Sequence, residues 1–124
     1  MNNNYFLVVD DNFGIRRLIH EVLSVEGYNI KMAVNGADAI NKARASIPAL
    51  ILLDIKMPVM NGLEMLRQLK ELNINVPVVL MTAYYDIDKI KKAIEGVALN
   101  FINKPFDIDE LLGLIKRVLA DNQL

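Results

Sequence analysis

Five side chains in this 124-residue chain are of the types that phosphoryl transfer requires. Three are carboxylates, one is a hydroxyl and one is an ammonium, namely Asp10, Asp11, Asp54, Thr82 and Lys104. A carboxylate can act as a nucleophile toward phosphorus, and Mg²⁺ commonly binds one or two carboxylates while leaving room for a phosphate. A hydroxyl and a lysine can bind phosphoryl oxygens. Because positioning and charge neutralisation supply most of the catalysis in phosphoryl transfer, this short set suffices.

The elements that must position these side chains follow from the apolar pattern. Short β-rich runs predict strands at Tyr5–Val9, Asn29–Ala33, Ala49–Leu53, Pro77–Met81 and Ala98–Ile102. Between and after them, helical periodicity predicts five helices, whose apolar stripes begin at Ile15, Ala37, Leu63, Ile87 and Ile108. Strands that alternate with helices indicate an α/β domain with a doubly wound parallel sheet.

The five polar side chains lie within two residues of the ends of predicted strands. Asp10 and Asp11 follow the first strand, Asp54 the third, Thr82 the fourth, and Lys104 comes shortly after the fifth. Ligands of open parallel sheets bind beyond the carboxyl ends of the strands, so we expect these groups to converge at one edge. Three neighbouring carboxylates repel one another unless a cation lies between them. Lys104 and a divalent metal ion are the two candidates for that cation.

Each of these residues also has a simpler explanation when taken alone. Asp10 or Asp11 could be the N-cap of the first helix, Thr82 a strand end, and Lys104 part of a turn before proline. Asp54 is harder to explain in this way, because a carboxylate after a buried strand needs a partner. The five residues together favour a phosphoryl-transfer site over five unrelated structural roles.

Composition excludes several other kinds of site. Hydrophobic residues make up 53% and charged residues 23%, which is typical of a globular domain. The absence of cysteine excludes disulfides, thiolate zinc sites and a cysteine nucleophile. A net charge of -1 gives no general attraction to nucleic acid. With no apolar run of about 20 residues and no signal-peptide pattern, we expect a cytoplasmic protein that binds neither nucleic acid nor membrane.

Several short motifs occur together around the polar residues. They are Asp10-Asp11, Asp54 after Ile51-Leu52-Leu53, Met57-Pro58, Asn61-Gly62, Thr82-Ala83 and Lys104-Pro105-Phe106. With this combination the whole chain resembles the CheY-like receiver domains of response regulators. The resemblance implies a flavodoxin-like (βα)5 fold with strand order 2-1-3-4-5 and a cis Lys104-Pro105 bond. It also implies one receiver domain over residues 1–124, without an output domain.

The resemblance further implies a role for each polar residue. Asp54 would be the phosphoacceptor, and Thr82 and Lys104 the pair that senses the phosphate. The implied ligands of Mg²⁺, or of Mn²⁺ in its place, are Asp10, Asp11, Asp54 and the backbone carbonyl of Lys56. Phe101 occupies the position of the aromatic switch, which is usually Tyr, Phe or His, and its ring has neither the hydroxyl of Tyr nor the imidazole of His.

Longer blocks of sequence resemble single-domain receivers of sporulation phosphorelays. These imply a sensor histidine kinase as donor, a histidine phosphotransferase as acceptor and an aspartyl-phosphate phosphatase as a further partner. The protein would then be an enzyme only in the limited sense that it catalyses its own phosphorylation and phosphotransfer, and it would be a monomer. The implied partner surface consists of Ile15, Leu18, Tyr84, Tyr85, Pro105 and Phe106. Core packing remains an alternative for Ile15 and Leu18, and Tyr85 is bulkier than the residue the family often has there.

Other functions remain to be weighed against this interpretation. A phosphorylation-switched binding protein of the chemotaxis type would act through the fourth helix, fifth strand and fifth helix, where Leu114 is predicted to lie off the apolar stripe. A purely structural receiver is disfavoured because all five chemical positions are filled. A small flavin carrier of the same topology is disfavoured because Asp10 and Asp11 would repel the phosphate of its cofactor. A haloacid-dehalogenase-type phosphatase is disfavoured because it would need an aspartate where Lys56 stands.

Overall fold

The computed structural model describes residues 5–55, 62–82, 88 and 99–121. The strands are β1 (Phe6–Val9), β2 (Ile30–Ala33), β3 (Leu50–Asp54), β4 (Val78–Thr82) and β5 (Leu99–Asn103). The helices are α1 (Phe13–Val25), α2 (Gly36–Ala45), α3 (Gly62–Glu71) and a C-terminal helix (Ile108–Asp121). Lys56, Tyr84, Tyr85 and, apart from Asp88, the predicted fourth helix lie outside the described residues. None of the helices within these ranges has the length and apolar character needed to cross a bilayer.

The five strands form one parallel sheet in the order β2-β1-β3-β4-β5. Phe6 of β1 pairs with Ile30 on one side and with Leu50 on the other, so the first strand lies inside the sheet. This order confirms the predicted flavodoxin-like (βα)5 arrangement. Because all strands run in the same direction, their carboxyl ends lie at one edge of the sheet.

Two apolar clusters, one on each face of the sheet, form the core. Side chains of successive strand residues point to opposite faces. Leu50 and Leu52 therefore pack with α1 and the C-terminal helix, whereas Ile51 and Leu53 pack with α2 and α3. All four are fully buried. This continuous burial is what a parallel strand covered by helices on both faces requires.

The ends of α1 follow the capping signals in the sequence. Asn12 accepts a hydrogen bond from the backbone N–H of Ile15 at 3.0 Å, which satisfies a free donor of the first turn. At the other end Gly27 has a φ of 92°, and Tyr28 donates to the carbonyl of Leu23 at 3.1 Å. Glycine adopts this left-handed conformation without steric cost, which suits Gly27 to its position just after the helix.

The C-terminal helix begins with a capping box, and the face that it packs against the core differs from the predicted one. The backbone N–H of Glu110 donates to Asp107 at 2.8 Å, and that of Asp107 donates back to Glu110 at 3.4 Å. Leu114, predicted to lie off the apolar stripe, is only 8% exposed and belongs to the core, so that prediction is wrong. The buried stripe follows the helical repeat through Leu111, Leu114, Ile115 and Val118.

Tyr5, just before β1, ties the sheet to the end of α2. Its hydroxyl donates to the carbonyls of Ser46 and Lys42, and the ring is nearly fully buried. Burial raises the pKa of this hydroxyl, because the ionised form would lose its hydration. The contact fixes α2 against the face of the sheet opposite α1.

Candidate functional site

Two of the polar side chains at the carboxyl edge of the sheet belong to strand residues rather than to loops. Asp54 and Thr82 were expected to follow their strands, but they are the last residues of β3 and β4. Asp54 is in register with Met81, and Thr82 with Asn103. Backbone pairing continues for one residue beyond the apolar run because it does not depend on side-chain polarity. The backbones of Asp54 and Thr82 are thus fixed by the sheet, which is a precise base for a site.

Three carboxylates meet at this edge, as the sequence predicted. Asp10, Asp11 and Asp54 each offer an oxygen, and these oxygens lie within 4.8 Å of one another. Asp10 and Asp54 are buried, whereas Asp11 is exposed. Like charges at this distance repel strongly where water is excluded. A cluster of hard oxygen donors open to solvent on one side fits an ion such as Mg²⁺.

Lys104 is the cation that reaches into the cluster. Its ammonium lies 3.2 Å from Asp10 Oδ2 and 3.5 Å from Asp54 Oδ1, and so it bridges the ends of β1 and β3. Its backbone N–H donates to the carbonyl of Thr82 at 2.8 Å, and the Lys104-Pro105 bond is cis, as the resemblance implied. One ammonium among three carboxylates leaves an excess of negative charge, which favours a further cation.

The connection from β1 to α1 holds Asp10 in place. The backbone N–H of Asn12 donates to Asp10 Oδ1 at 2.9 Å, and Arg16 Nη1 donates to the Asp10 carbonyl at 2.8 Å. Sequence reasoning missed Arg16. The available signal was its position one turn into a helix that begins beside Asp10. Side chains on a helix lean toward its N-terminus, so a long side chain there reaches back to the preceding loop.

Gly62 allows α3 to begin against the end of β3. Its backbone N–H donates to the carbonyl of Ile55 at 2.9 Å. A Cβ at this position would lie 2.8 Å from Ile55 Cα, closer than real Cβ atoms approach other atoms, and 3.2 Å from the Asp54 carbonyl, a tight contact. The glycine of the Asn61-Gly62 motif thus brings the chain back onto Asp54 without a clash.

The residues predicted as a partner surface differ in exposure. Leu18 is 45% exposed and Pro105 is exposed, while Ile15 and Phe106 are half-buried and contact the core on the α1 face. Ile15 therefore contributes to the core and keeps part of its surface accessible.

Two further aromatic residues lie on opposite faces of the sheet. Phe101, the predicted switch, is half-buried and packs against the core on the opposite face from α1. His20, on α1, is half-buried as well. It lines a groove of about 220 Å³ with Phe13, Arg16, Arg17 and Met32.

Comparison with known proteins gives the family. Residues 6–116 match the family described as the response regulator receiver domain. The chain is 43% identical over 119 residues to sporulation initiation phosphotransferase F of Bacillus subtilis (strain 168), covering 96% of each chain.

A larger regulator and a solved structure are also similar to this chain. The chain is 35% identical over 123 residues to the DNA-binding transcriptional regulator NtrC of Escherichia coli (strain K12). That match covers 99% of this chain but only 26% of the regulator. The structure of the Vibrio cholerae chemotaxis protein CheY4 superposes with a TM-score of 0.82 at 28% identity, covering 93% of this chain and 98% of that one. The chain belongs to the response regulator receiver domain family.

Proposed function

We propose that this receiver is an intermediate in a phosphorelay. It accepts a phosphoryl group on Asp54 from the phosphohistidine of a sensor histidine kinase, and passes it to a histidine phosphotransferase. The observation that carries the proposal is the position of buried Asp54. It lies at the end of β3, 3.5 Å from the Lys104 ammonium and in one cluster with Asp10 and Asp11.

The proposed relay is the one that controls initiation of sporulation. The 43% identity to the Bacillus subtilis phosphotransferase extends over 96% of both chains, which supports this assignment. With it we propose that residues 1–124 act as one receiver domain, in the cytoplasm and as a monomer. The matched part of the larger NtrC regulator is about a quarter of its length, so its other activities do not transfer to this chain.

The first half-reaction follows from the positions of the side chains. A carboxylate oxygen of Asp54 attacks phosphorus, the P–N bond of the phosphohistidine breaks, and its electron pair returns to the imidazole nitrogen. Lys104, which contacts Asp54, then binds a phosphoryl oxygen as a point charge, and Thr82 donates a hydrogen bond to another. A Mg²⁺ or Mn²⁺ ion held by Asp10, Asp11, Asp54 and the Lys56 carbonyl would supply charge neutralisation at those oxygens.

The second half-reaction is the reverse, with a different histidine. An imidazole nitrogen of the phosphotransferase attacks phosphorus, the P–O bond of the acyl phosphate breaks, and the Asp54 carboxylate leaves. Water in place of that histidine gives hydrolysis, which an aspartyl-phosphate phosphatase would accelerate. The protein is therefore an enzyme in the limited sense that it catalyses phosphoryl transfer to and from its own side chain.

We assign the partner surface to residues around the site. Leu18 and Pro105 offer exposed area, and Ile15 and Phe106 offer part of theirs. Tyr84 and Tyr85 complete the proposed surface, and Phe101 is the proposed switch residue. A histidine-bearing helix that covers these side chains would bring its imidazole to Asp54.

A switch without onward transfer is the alternative, and the likeness to the chemotaxis protein CheY4 supports it. In that case the fifth strand and the helices beside it would bind a partner once Asp54 is phosphorylated. Burial of Leu114 weakens this alternative, because that side chain offers no apolar contact on the C-terminal helix.

A phosphotransfer time course decides between the two. The protein and Mg²⁺ are incubated with an autophosphorylated sensor histidine kinase and a histidine phosphotransferase, and the label on each protein is followed. Label that passes through Asp54 to the phosphotransferase and back supports the relay. Label that enters Asp54 and leaves only to water contradicts it and supports the switch.

A further inference from the structure

We propose that Arg16 is a positioning residue for the metal site, because it fixes the backbone of Asp10 from the first turn of α1. The inference rests on the proposed Mg²⁺ site of this receiver. Arg16 Nη1 donates to the Asp10 carbonyl at 2.8 Å, and Asp10 is only 1% exposed. The arginine thereby determines where the Asp10 carboxylate lies relative to Asp11 and Asp54.

Each oxygen of Asp10 has its own donor. Oδ1 accepts from the backbone N–H of Asn12 at 2.9 Å, Oδ2 contacts the Lys104 ammonium at 3.2 Å, and the carbonyl accepts from Arg16. The Asp10 backbone N–H reaches the carbonyl of Ala33 only at 3.3 Å, a long hydrogen bond. Arg16 thus provides the shortest of these contacts, and the only one of them made to the Asp10 carbonyl. Without it, a buried carbonyl would lose its donor and would turn to find another.

The arginine is itself held in place. It is half-buried, its guanidinium carbon lies 5.8 Å from the centre of the Phe13 ring, and its backbone N–H donates to the Asn12 carbonyl at 3.1 Å. A planar guanidinium can rest against an aromatic ring and direct one N–H at a fixed angle, which a flexible ammonium does less well. Side chains that orient a metal ligand commonly change metal affinity by 10- to 100-fold when removed.

If Arg16 acts through its charge, its removal should strengthen Mg²⁺ binding, whereas if it positions Asp10, its removal should weaken binding. These opposite effects make the inference testable. Arg16 is a cation near an acidic cluster, so its charge alone weakens the binding of another cation. If charge were its main contribution, Arg16→Met would tighten Mg²⁺ binding. If Arg16 positions Asp10, the same change weakens binding despite the more favourable charge.

The experiment is calorimetric titration of Mg²⁺ into the unphosphorylated protein, which requires no partner or turnover. We expect Arg16→Met to raise the Kd for Mg²⁺ by about tenfold or more. Arg16→Lys, which keeps the charge but not the planar fork, should raise the Kd by a smaller factor. Arg17→Met is the matched control, because Arg17 carries the same charge in the same turn but forms its ion pair with exposed Glu21, at 3.2 Å. It should change the Kd by less than about twofold.

Three outcomes would overturn the inference. Arg16→Met could bind Mg²⁺ as tightly as the unmodified protein or more tightly. The Arg17 variant could lose as much affinity as the Arg16 variant. Urea denaturation could show that Arg16→Met lowers stability while the folded fraction keeps its Kd, which would make Arg16 purely structural.

Two further measurements keep the result decisive. If Arg16→Met does not fold, Arg16→Lys decides, since a Kd equal to that of the unmodified protein contradicts positioning. Failure of the proposed function gives a different result. In that case the unmodified protein shows no Mg²⁺ binding that Asp10→Asn removes, and the metal site itself is then rejected along with the role of Arg16.

Discussion

Two lysine–aspartate pairs in this protein have the same separation and different surroundings. Lys104 lies 3.2 Å from Asp10 at the carboxyl edge of the sheet, and Lys42 lies 3.2 Å from Asp38 on α2. The Asp10 side chain is 1% exposed, whereas that of Asp38 is 34% exposed. Equal geometry therefore does not mean equal chemistry, because burial and the charge balance around each pair differ.

At the carboxyl edge, the lysine is outnumbered. Lys104 contacts Asp54 as well as Asp10, and Asp11 is in the same cluster. Burying several like charges with one cation is costly for folding, and such arrangements are concentrated at functional sites. The remaining negative charge is what makes this edge suitable for a metal ion and a phosphoryl group.

On α2 the charges of Lys42 and Asp38 balance, and the pair forms hydrogen bonds with backbone groups in and just after the edge strand β2. Lys42 Nζ donates to the Met32 carbonyl at 2.6 Å, and Asp38 accepts from the backbone N–H of Val34 at 3.2 Å. β2 is an edge strand, whose outward backbone groups would otherwise be open to pairing with another chain. The same residue types thus stabilise structure where their charges balance and their side chains are partly exposed.

The largest expected effect distinguishes Asp54, at the carboxyl edge of the sheet, from Asp38, on α2. Asp54→Ala removes the nucleophile, so phosphorylation by a small acyl phosphate with Mg²⁺ should fall to background. Asp38→Ala, on the helix, should be phosphorylated at the normal rate. Mass spectrometry of the intact proteins measures both. Mg²⁺-dependent phosphate on the Asp54 variant would contradict the assignment of the acceptor.

The next effect distinguishes Lys104, at the carboxyl edge, from Lys42, on α2. Lys104→Ala removes the ammonium that would bind a phosphoryl oxygen, so the rate of phosphorylation by the same donor should fall on the order of 10²-fold. Its Mg²⁺ affinity should be unchanged or higher, because a cation has left the acidic cluster. Lys42→Ala should change neither quantity. Weaker Mg²⁺ binding in a folded Lys104 variant would contradict this account of the charges.

A smaller effect tests whether the site's surroundings recognise a partner. Ile15→Ala should slow transfer from a phosphorylated histidine partner by about tenfold, a size common for residues that contribute to an interface. Phosphorylation by a small acyl phosphate should not change, because that donor needs no docking surface. Rates with both donors are compared, and Leu72→Ala, an exposed leucine after α3, is the control. Equal slowing with both donors would mean that Ile15 acts through the core.

The sequence predicted much of the site at the carboxyl edge of the sheet. Alternating apolar runs located the strands, and the rule that ligands bind at strand ends correctly predicted that Asp10, Asp54 and Lys104 converge. The third and fourth strands end one residue later than predicted, because backbone pairing of Asp54 and Thr82 leaves no mark on side-chain type. The order of the strands came from family resemblance, since periodicity does not reveal which strands are neighbours.

Contacts that depend on tertiary register could not be predicted in this way. Asp38 and Lys42 are four residues apart, so a helical pair could have been expected. Their bonds to the backbone of Met32 and Val34 depend on how α2 lies beside β2. The position of Arg16 one turn into α1 allows its side chain to reach back to the preceding loop, but nothing in the sequence marks the Asp10 carbonyl as the acceptor. Leu114 was misassigned because both faces of the C-terminal helix carry leucines.

The smallest expected effect concerns the α2 pair itself. Lys42→Met should lower the free energy of unfolding by about 0.5 kcal/mol, because a partly exposed pair at this spacing contributes little and water can hydrate the freed Met32 carbonyl. Urea denaturation measures the loss, and a cycle with Asp38→Ala isolates the coupling between the two side chains. A coupling energy above about 1.5 kcal/mol would show that this pair is stronger than exposed pairs ordinarily are. Burial would then not be what distinguishes the two lysine–aspartate pairs, and the excess of carboxylates around Lys104 alone would have to account for their different chemistry.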